Sequence, residues 1–323
     1  YPGLSIQGMH RPVERAACYV PGGRAVYPST VLMTAVPASV AGVDEIVLCV
    51  PPGPDGAVPD VVLAAAAVAG VREVVSVGGA QAIGAVAFGT ESIRPVDVIV
   101  GPGNVYVALA KQEVAGLVGV PSSFAGPSEV VVVADGSAPA AYAAIDVIVQ
   151  AEHGPDGLAW FVTWDEAFAD EVLTAIERLV ATAPRQAEIE ATLEASGIAV
   201  LCASAEQAMA VANFIAPEHL ELQTADDDAL LPLVRNAGAI FCGANAPASL
   251  GDYAAGPSHV LPTNGTARFA SALTVRDFMK DLHVVRVERE GFEALAATVE
   301  VLAGAEGLDA HAASIRIRRG ASR

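Results

Sequence analysis

From Asp44 onward the chain repeats one unit: a short apolar segment, a turn, then a run of small apolar residues long enough for several helical turns. Strands buried on both faces read as continuous apolar runs, so the pattern predicts parallel sheets covered by helices on both sides. Strands are expected over 46–50, 73–77 and 96–100, with helices over 59–69, from Gly78 and from Asn104 to about Leu117. After 121–125 the rhythm restarts, with strands over 129–134, 160–163, 198–202, 220–223 and 239–242 and helices over 140–153, 166–183, 206–214 and 229–237. The expected fold class is therefore α/β: two Rossmann-like α/β domains with parallel-rich sheets, plus a small C-terminal segment. The boundaries expected are 21–127 for one domain, 1–20 with 128–273 for a second, discontinuous one, and 274–323 for the segment. That segment is too short for a convincing core of its own and is expected to dock elsewhere, on a partner subunit.

Composition narrows the functions. Hydrophobic residues make up 53% of 323, enough for large cores, yet the longest apolar run, Val61 to Val71, has 11 residues and falls short of a membrane span. The formal charge is −19, with 37 acidic against 18 basic residues, which argues against nucleic acid as a partner. The basic cluster at Arg316, Arg318, Arg319 and Arg323 reads as a solvated tail. Cys18, Cys49, Cys202 and Cys242 show no CxxC spacing and read as reduced thiols of a cytoplasmic protein. The first twenty residues carry no secretory pattern, and the chain opens at Tyr1 without Met, so a fragment lacking N-terminal residues is expected.

The polar residues that could do chemistry are few. Ala216-Pro-Glu-His-Leu-Glu-Leu places a carboxylate, Glu218, beside an imidazole, His219, between an expected helix and an expected strand. One acid and one histidine are the minimum parts for proton transfer. Adjacent Glu-His pairs are otherwise ordinary surface features. The loop from Tyr19 to Thr30 has two prolines and two glycines, with Ser29 or Thr30 suited to cap the next helix. Gly78-Gly and Gly101-Pro-Gly-Asn follow strands and enter helices, where free N–H groups favour an anion, although neither is the GxGxxG fingerprint. Gln150-Ala-Glu-His153 puts an amide and an imidazole on one helix face, and Asp252 and His311 could complete a mixed N/O metal site. A neutral amide is an unusual ligand, and a histidine near a helix C-terminus is the plainer alternative. A long Gly/Pro-rich loop, 251–263, carries Asp252 and His259.

Taken in order, Tyr19-Val-Pro-Gly-Gly, Gly78-Gly-Ala-Gln-Ala-Ile, Gly101-Pro-Gly-Asn, Ala125-Gly-Pro-Ser-Glu, Gln150-Ala-Glu-His, Ala216-Pro-Glu-His-Leu-Glu-Leu, the 251–263 loop and Glu306-Gly-Leu-Asp-Ala-His resemble histidinol dehydrogenase over about residues 18–313. Ser258, where Asn is common, is a minor departure, and the N-terminal portion that the family normally carries is missing. The resemblance implies a homodimer with shared sites, one zinc per subunit, and NAD-dependent oxidation of L-histidinol to L-histidine through L-histidinaldehyde. It implies zinc on Gln150, His153, Asp252 and His311, with His311 crossing to the partner. It implies NAD at Tyr19, Gln81 and Asn104, hence in domain 21–127 and beside it. It implies substrate at Ser128, His259 and Glu306, besides His219, the zinc and its ligands. His219 then serves as base and Glu218 activates water. Three rivals stand beside this: a thiol-dependent aldehyde dehydrogenase using Cys242, a zinc hydrolase, and a silent two-lobed binding protein.

Overall fold

The computed structural model describes residues 1–320 except 23–24, 122–125, 153 and 155–156. It divides into two compact units, residues 13–278 and the pairing of 1–12 with 279–323.

The larger unit holds two parallel sheets. In the first, β2 (Arg15–Tyr19), β3 (Glu45–Cys49), β4 (Glu73–Val75) and β5 (Val98–Val100) lie in the order β4-β3-β2-β5. They are joined through α1 (Pro28–Ala41), α2 (Asp60–Val68) and α3 (Gly79–Phe88), and α4 (Val105–Val114) follows β5. The chain steps outward from β2 to β4 and then crosses back to the other side of β2, so a switch point opens between β2 and β5. Gly101, just after β5, has a φ of 102°, and a Cβ there would overlap the Tyr19 carbonyl, so only glycine lets the two strand ends approach.

The second sheet has the order β10-β9-β6-β7-β8. Its strands are β6 (Glu129–Ala134), β7 (Leu158–Thr163), β8 (Gly197–Leu201), β9 (His219–Gln223) and β10 (Ala239–Cys242). The connections use α5 (Ala140–Ala151), α6 (Glu166–Val180), α7 (Gln186–Ser196), α8 (Ala205–Ile215) and α9 (Asp227–Leu230), and α10 (Ala248–Tyr253) follows β10. Alternation along β6 shows both faces covered: Val130 and Val132 pack with α5, α6 and α7, while Val131 and Val133 pack with α8.

The smaller unit pairs β1 (Leu4–Pro12) antiparallel with β11 (Met279–Val287), in register from Leu4↔Val287 to Pro12↔Met279, and adds α11 (Arg289–Ala305) and α12 (Asp309–Gly320). Its buried positions are small, among them Ala296, Ala303 and Ala312, and Ile6, Val285, Val301 and Ile317 are exposed.

The two parallel α/β sheets match the expected fold class. Several boundaries differ. Residues 15–19, grouped by sequence with the second sheet, are the inner strand β2 of the first. The signal was masked by Arg15, which is buried because its guanidinium bridges Glu45 at 2.6 Å and Glu73 at 2.7 Å at the starts of β3 and β4. Residues 1–12 pair with the C-terminal strand instead of joining 128–273, and the smaller unit begins at Met279, not 274. The helix expected over 229–237 is a single turn, α9, and a 3-10 turn at Leu231–Leu233, because Pro232 cannot continue an α-helix. The 251–263 loop starts inside α10, so Asp252 is helical. Neither Ser29 nor Thr30 caps α1, which starts at Pro28.

Candidate active site

A cavity of about 260 Å³ opens between the two sheets of the larger unit. Pro21 after β2 and Pro102 and Gly103 after β5 form one wall, so the first sheet presents the carboxyl ends of its strands at the switch point. The second sheet presents amino ends instead: Ser128 precedes β6, and Glu218 and His219 stand at the start of β9. Gln150 from the last turn of α5, Asp252 from α10 and His259 complete the polar lining.

The organising residue is Glu129, the first residue of β6 and fully buried. Its backbone N–H donates to the Glu218 carboxylate at 3.0 Å. Its carbonyl accepts the His219 Nδ1–H at 2.9 Å. Its own carboxylate accepts the backbone N–H of Glu218 at 3.3 Å and of Asn264 at 2.8 Å. One residue thus sets both members of the acid–imidazole pair. Because Nδ1 is the donor, His219 presents Nε2 to the cavity, where it has no hydrogen-bond partner and lies 3.6 Å from Asp252 Oδ1. Sequence reasoning gave Glu129 no role. The available signal was a carboxylate opening a strand otherwise made of four valines and an alanine.

Burial tunes the pair. Desolvation pushes Glu218 up to about 7, with the neighbouring imidazole and the Glu129 N–H only partly opposing. For His219, burial favours the neutral ring, but the charges of Glu218 and Asp252 outweigh it and hold the group up at about 9. Burial likewise raises the Glu129 carboxyl against the backbone N–H groups it accepts. His259 is neutral and anchored on both nitrogens: Nδ1–H donates to the Asp252 carbonyl at 3.1 Å and Nε2 accepts the Thr30 hydroxyl at 3.2 Å, while burial lowers its proton affinity. Thr30, expected as a helix cap, instead ties α1 to this loop.

Among the residues expected to hold a metal, Gln150 and Asp252 face the same cavity. The Gln150 side-chain nitrogen is buried with no partner, leaving the amide uncommitted to the surrounding protein. His153 lies outside the described residues. His311 and Glu306 belong to the smaller unit, both exposed, at the start of α12 and the end of α11. Among the described residues no three His, Cys, Asp or Glu side chains come together as a metal cluster. The Asp252 carboxylate is a donor that zinc accepts and the Gln150 amide oxygen is an unusual one, so imidazoles would have to complete the set.

The expected cofactor residues lie around the glycine turns. Tyr19 ends β2, buried, with its hydroxyl accepting the Gly79 N–H at 3.0 Å. Gln81 is exposed in the first turn of α3, and Asn104 caps α4 through the Val107 N–H at 3.1 Å. Gly78 gives α3 no side-chain cap, which leaves helix N–H groups for a phosphate. Cys242 is exposed and does not line the cavity. Burial and the charges of Asp227 and Asp228 push its thiol up, the opposite of an activated nucleophile.

Parallel sheets open at a Rossmann-like switch point, facing a buried carboxylate–imidazole pair, mark the chain as an α/β enzyme equipped for proton transfer. The histidinol dehydrogenase family model matches residues 1–319. The chain is 50% identical to histidinol dehydrogenase of Synechococcus sp., over 96% of this chain and 71% of that one. It is 52% identical to that of Pseudomonas aeruginosa, over 95% and 69%. The crystal structure of histidinol dehydrogenase from Elizabethkingia anophelis superposes with a TM-score of 0.95 at 37% identity, covering 98% of this chain and 73% of that chain. This chain belongs to the histidinol dehydrogenase family, and its activity is histidinol oxidation in histidine biosynthesis. A propionaldehyde dehydrogenase from Clostridium phytofermentans shares the fold alone, with a TM-score of 0.52 at 14% identity. Among the described residues no helix is long and apolar enough to cross a membrane.

Proposed function

We propose that the protein is a cytoplasmic, zinc- and NAD-dependent homodimer that oxidises L-histidinol to L-histidine in two steps, with L-histidinaldehyde retained between them. The observation that carries this reading is the Glu129 hub, which aims His219 Nε2 into the cavity and holds the Glu218 carboxylate beside it. In the first oxidation His219 acts in its deprotonated form, favoured as pH rises toward about 9: Nε2 takes the proton of the substrate hydroxyl, and the hydride leaves the carbon that bears that hydroxyl. In the second, Glu218 takes a proton from the water that adds to the aldehyde, while the protonated His219 returns its proton to the aldehyde oxygen, which gives the gem-diol and frees the imidazole. His219 then takes a proton from the resulting gem-diol as the second hydride leaves. Bound NAD supplies the hydride acceptor, and bound zinc supplies orientation of the substrate amine and imidazole.

The residues that would hold zinc are Gln150, His153, Asp252 and, from the partner subunit's C-terminal segment, a copy of His311. Tyr19, Gln81 and Asn104 would contact NAD across the two glycine turns. Ser128 and His259, with Glu306 of the C-terminal segment, would contact substrate. His259 suits this because its anchored, neutral ring has a fixed orientation. The domain that contacts NAD is the first sheet with its helices, and the second carries zinc and substrate. The exposed apolar side chains of the smaller unit support its role as a segment that docks on a partner.

The test is NADH formation from L-histidinol, followed by absorbance in metal-replete and chelator-treated protein. Two NADH per histidinol, with zinc restoring lost activity, is the expected result. One NADH per histidinol would mean that the aldehyde escapes and would remove the role of Glu218. No NADH from a folded dimer would overturn the reading.

A further inference from the structure

Behind the cavity, β9 carries a second acid. Glu221 lies two residues beyond His219 and Gln223 two beyond that, so strand alternation puts all three on one face. Glu221 and Gln223 are 1% and 3% exposed. The Gln223 amide nitrogen donates to Glu221 Oε2 at 2.9 Å and to Asp146 Oδ2, on α5, at 2.7 Å. Burial, and then the Asp146 charge, raise the Glu221 carboxyl above the usual carboxylate range. The other oxygen of Glu221 accepts the backbone N–H of Ala248 at 2.8 Å.

Ala248 is the first residue of α10, a helix of six residues whose cap position, Pro247, offers no side-chain bond. So short a helix has no stability of its own. It is held from outside by Glu221 and by Gly251, where a Cβ would overlap the Phe241 ring of β10.

The spacing gives this cluster its meaning. Asp146 precedes Gln150 by four residues on α5, and Ala248 precedes Asp252 by four on α10, one helical turn in each case. Glu221 follows His219 by one strand repeat. The cluster therefore ties together the three elements that present Gln150, His219 and Asp252, one step behind each of those side chains.

We propose that the Asp146–Glu221 pair, bridged by Gln223, is a positioning brace that sets α5, β9 and α10 so that Gln150, His219 and Asp252 meet zinc and substrate in register. This rests on the roles proposed above for those three residues. The brace touches neither substrate nor cofactor, and a structure with the brace broken keeps its NAD-side wall, which belongs to the first sheet.

The experiment uses the full chain with D146A, E221A and D146N. It reads kcat with L-histidinol, zinc retained against a competing chelator, and NAD affinity by fluorescence titration. D146A and E221A are expected to lower kcat by about a hundredfold, the cost of a small misplacement, and to lose zinc faster, with NAD affinity unchanged. In D146N the amide oxygen still accepts the Gln223 donor, and this variant is expected to recover kcat and zinc retention to within about threefold of the parent. Parent-like kcat and zinc retention in D146A and E221A would overturn the brace, as would a D146N as impaired as D146A. Parallel loss of NAD affinity would show a merely structural role and would also overturn it. If E221A does not fold, D146A decides, because Asp146 is only half-buried. If the parent forms no NADH from L-histidinol, the functional reading fails on its own, and zinc retention still decides for or against the brace.

Discussion

Glu218→Gln separates chemistry from stability in one substitution. The carboxyl is raised from an ordinary 4.5 to about 7, mainly by burial. At about 1.4 kcal/mol per tenfold change in proton affinity, holding it ionised costs the folded chain on the order of 3 kcal/mol above pH 7. A carboxyl raised in the folded state leaves stability intact below pH 4.5 and lowers it as pH rises toward 7, since the folded chain binds the extra proton. Glutamine carries no charge at any pH, keeps the length of the side chain and can accept the Glu129 N–H that Glu218 now accepts at 3.0 Å. The variant should therefore lose less stability than the parent between pH 5 and pH 8 in thermal or urea unfolding. The difference should reach about 3 kcal/mol at most, reduced by the weaker bond of a neutral acceptor.

The same substitution should leave the first oxidation within a few-fold of the parent and slow the second by roughly 10²–10⁴, the range for a lost general base. The assay follows NADH from L-histidinol with the aldehyde trapped, and separately NADH from L-histidinaldehyde. Equal loss in both half-reactions would refute the division of labour between Glu218 and His219. An unchanged pH dependence of stability would refute the burial argument.

His219→Asn should slow both half-reactions by about 10² or more while zinc content by metal analysis stays that of the parent; zinc lost in step with activity would count against His219 as the base. Cys242→Ser should leave both oxidations unchanged, because the thiol is off the cavity and its proton affinity is raised by burial and then by the charges of Asp227 and Asp228; loss of aldehyde oxidation would revive the thiol mechanism. Gly251→Ala must displace either α10 or the Phe241 ring, with an overpacking cost of about 1–3 kcal/mol in urea unfolding and faster zinc loss to a chelator; parent-like zinc retention would show that α10 absorbs the methyl group without moving Asp252.

The sheets were legible because burial on both faces writes itself into the chain as uninterrupted valine and alanine. Strand 129–134 and strand 239–242 lie where that pattern places them. Where one residue breaks the run for a distant reason, local reading fails. Arg15 is polar in sequence and buried in the fold because its two carboxylate partners lie 30 and 58 residues away. The antiparallel pairing of β1 with β11 spans nearly the whole chain, and no turn links the two strands to announce it. Helix α10 hid inside a Gly/Pro-rich loop because its start is secured by Glu221, 27 residues earlier. At the site, Glu218 and His219 could be named from their adjacency. What aims them could not, since Glu129 acts through its backbone and carboxylate across 89 and 90 residues.

These failures share a physical cause. Glu129, Glu218 and Glu221 are each buried, and each accepts a backbone N–H from a segment remote in sequence. A buried carboxylate is tolerated only when such donors satisfy it, so each one fixes where a distant segment must lie. The same three groups surround His219: one supplies its carbonyl partner, one stands beside it, and one follows it on the strand. Glu218 and Glu221 carry raised proton affinities as the cost of burial, and both therefore lower stability as pH rises above about 4.5, Glu218 up to about 7. Relieving either cost by an apolar residue would stabilise the chain above neutral pH. It would also release the backbone donor that the carboxylate holds, and with it the geometry of the pair. In this fold the groups that lower stability are the ones that pre-organise the chemistry. The prediction is that substitutions at 129, 218 and 221 which raise the unfolding midpoint at pH 8 will lower kcat. A variant that gained in both would break that coupling.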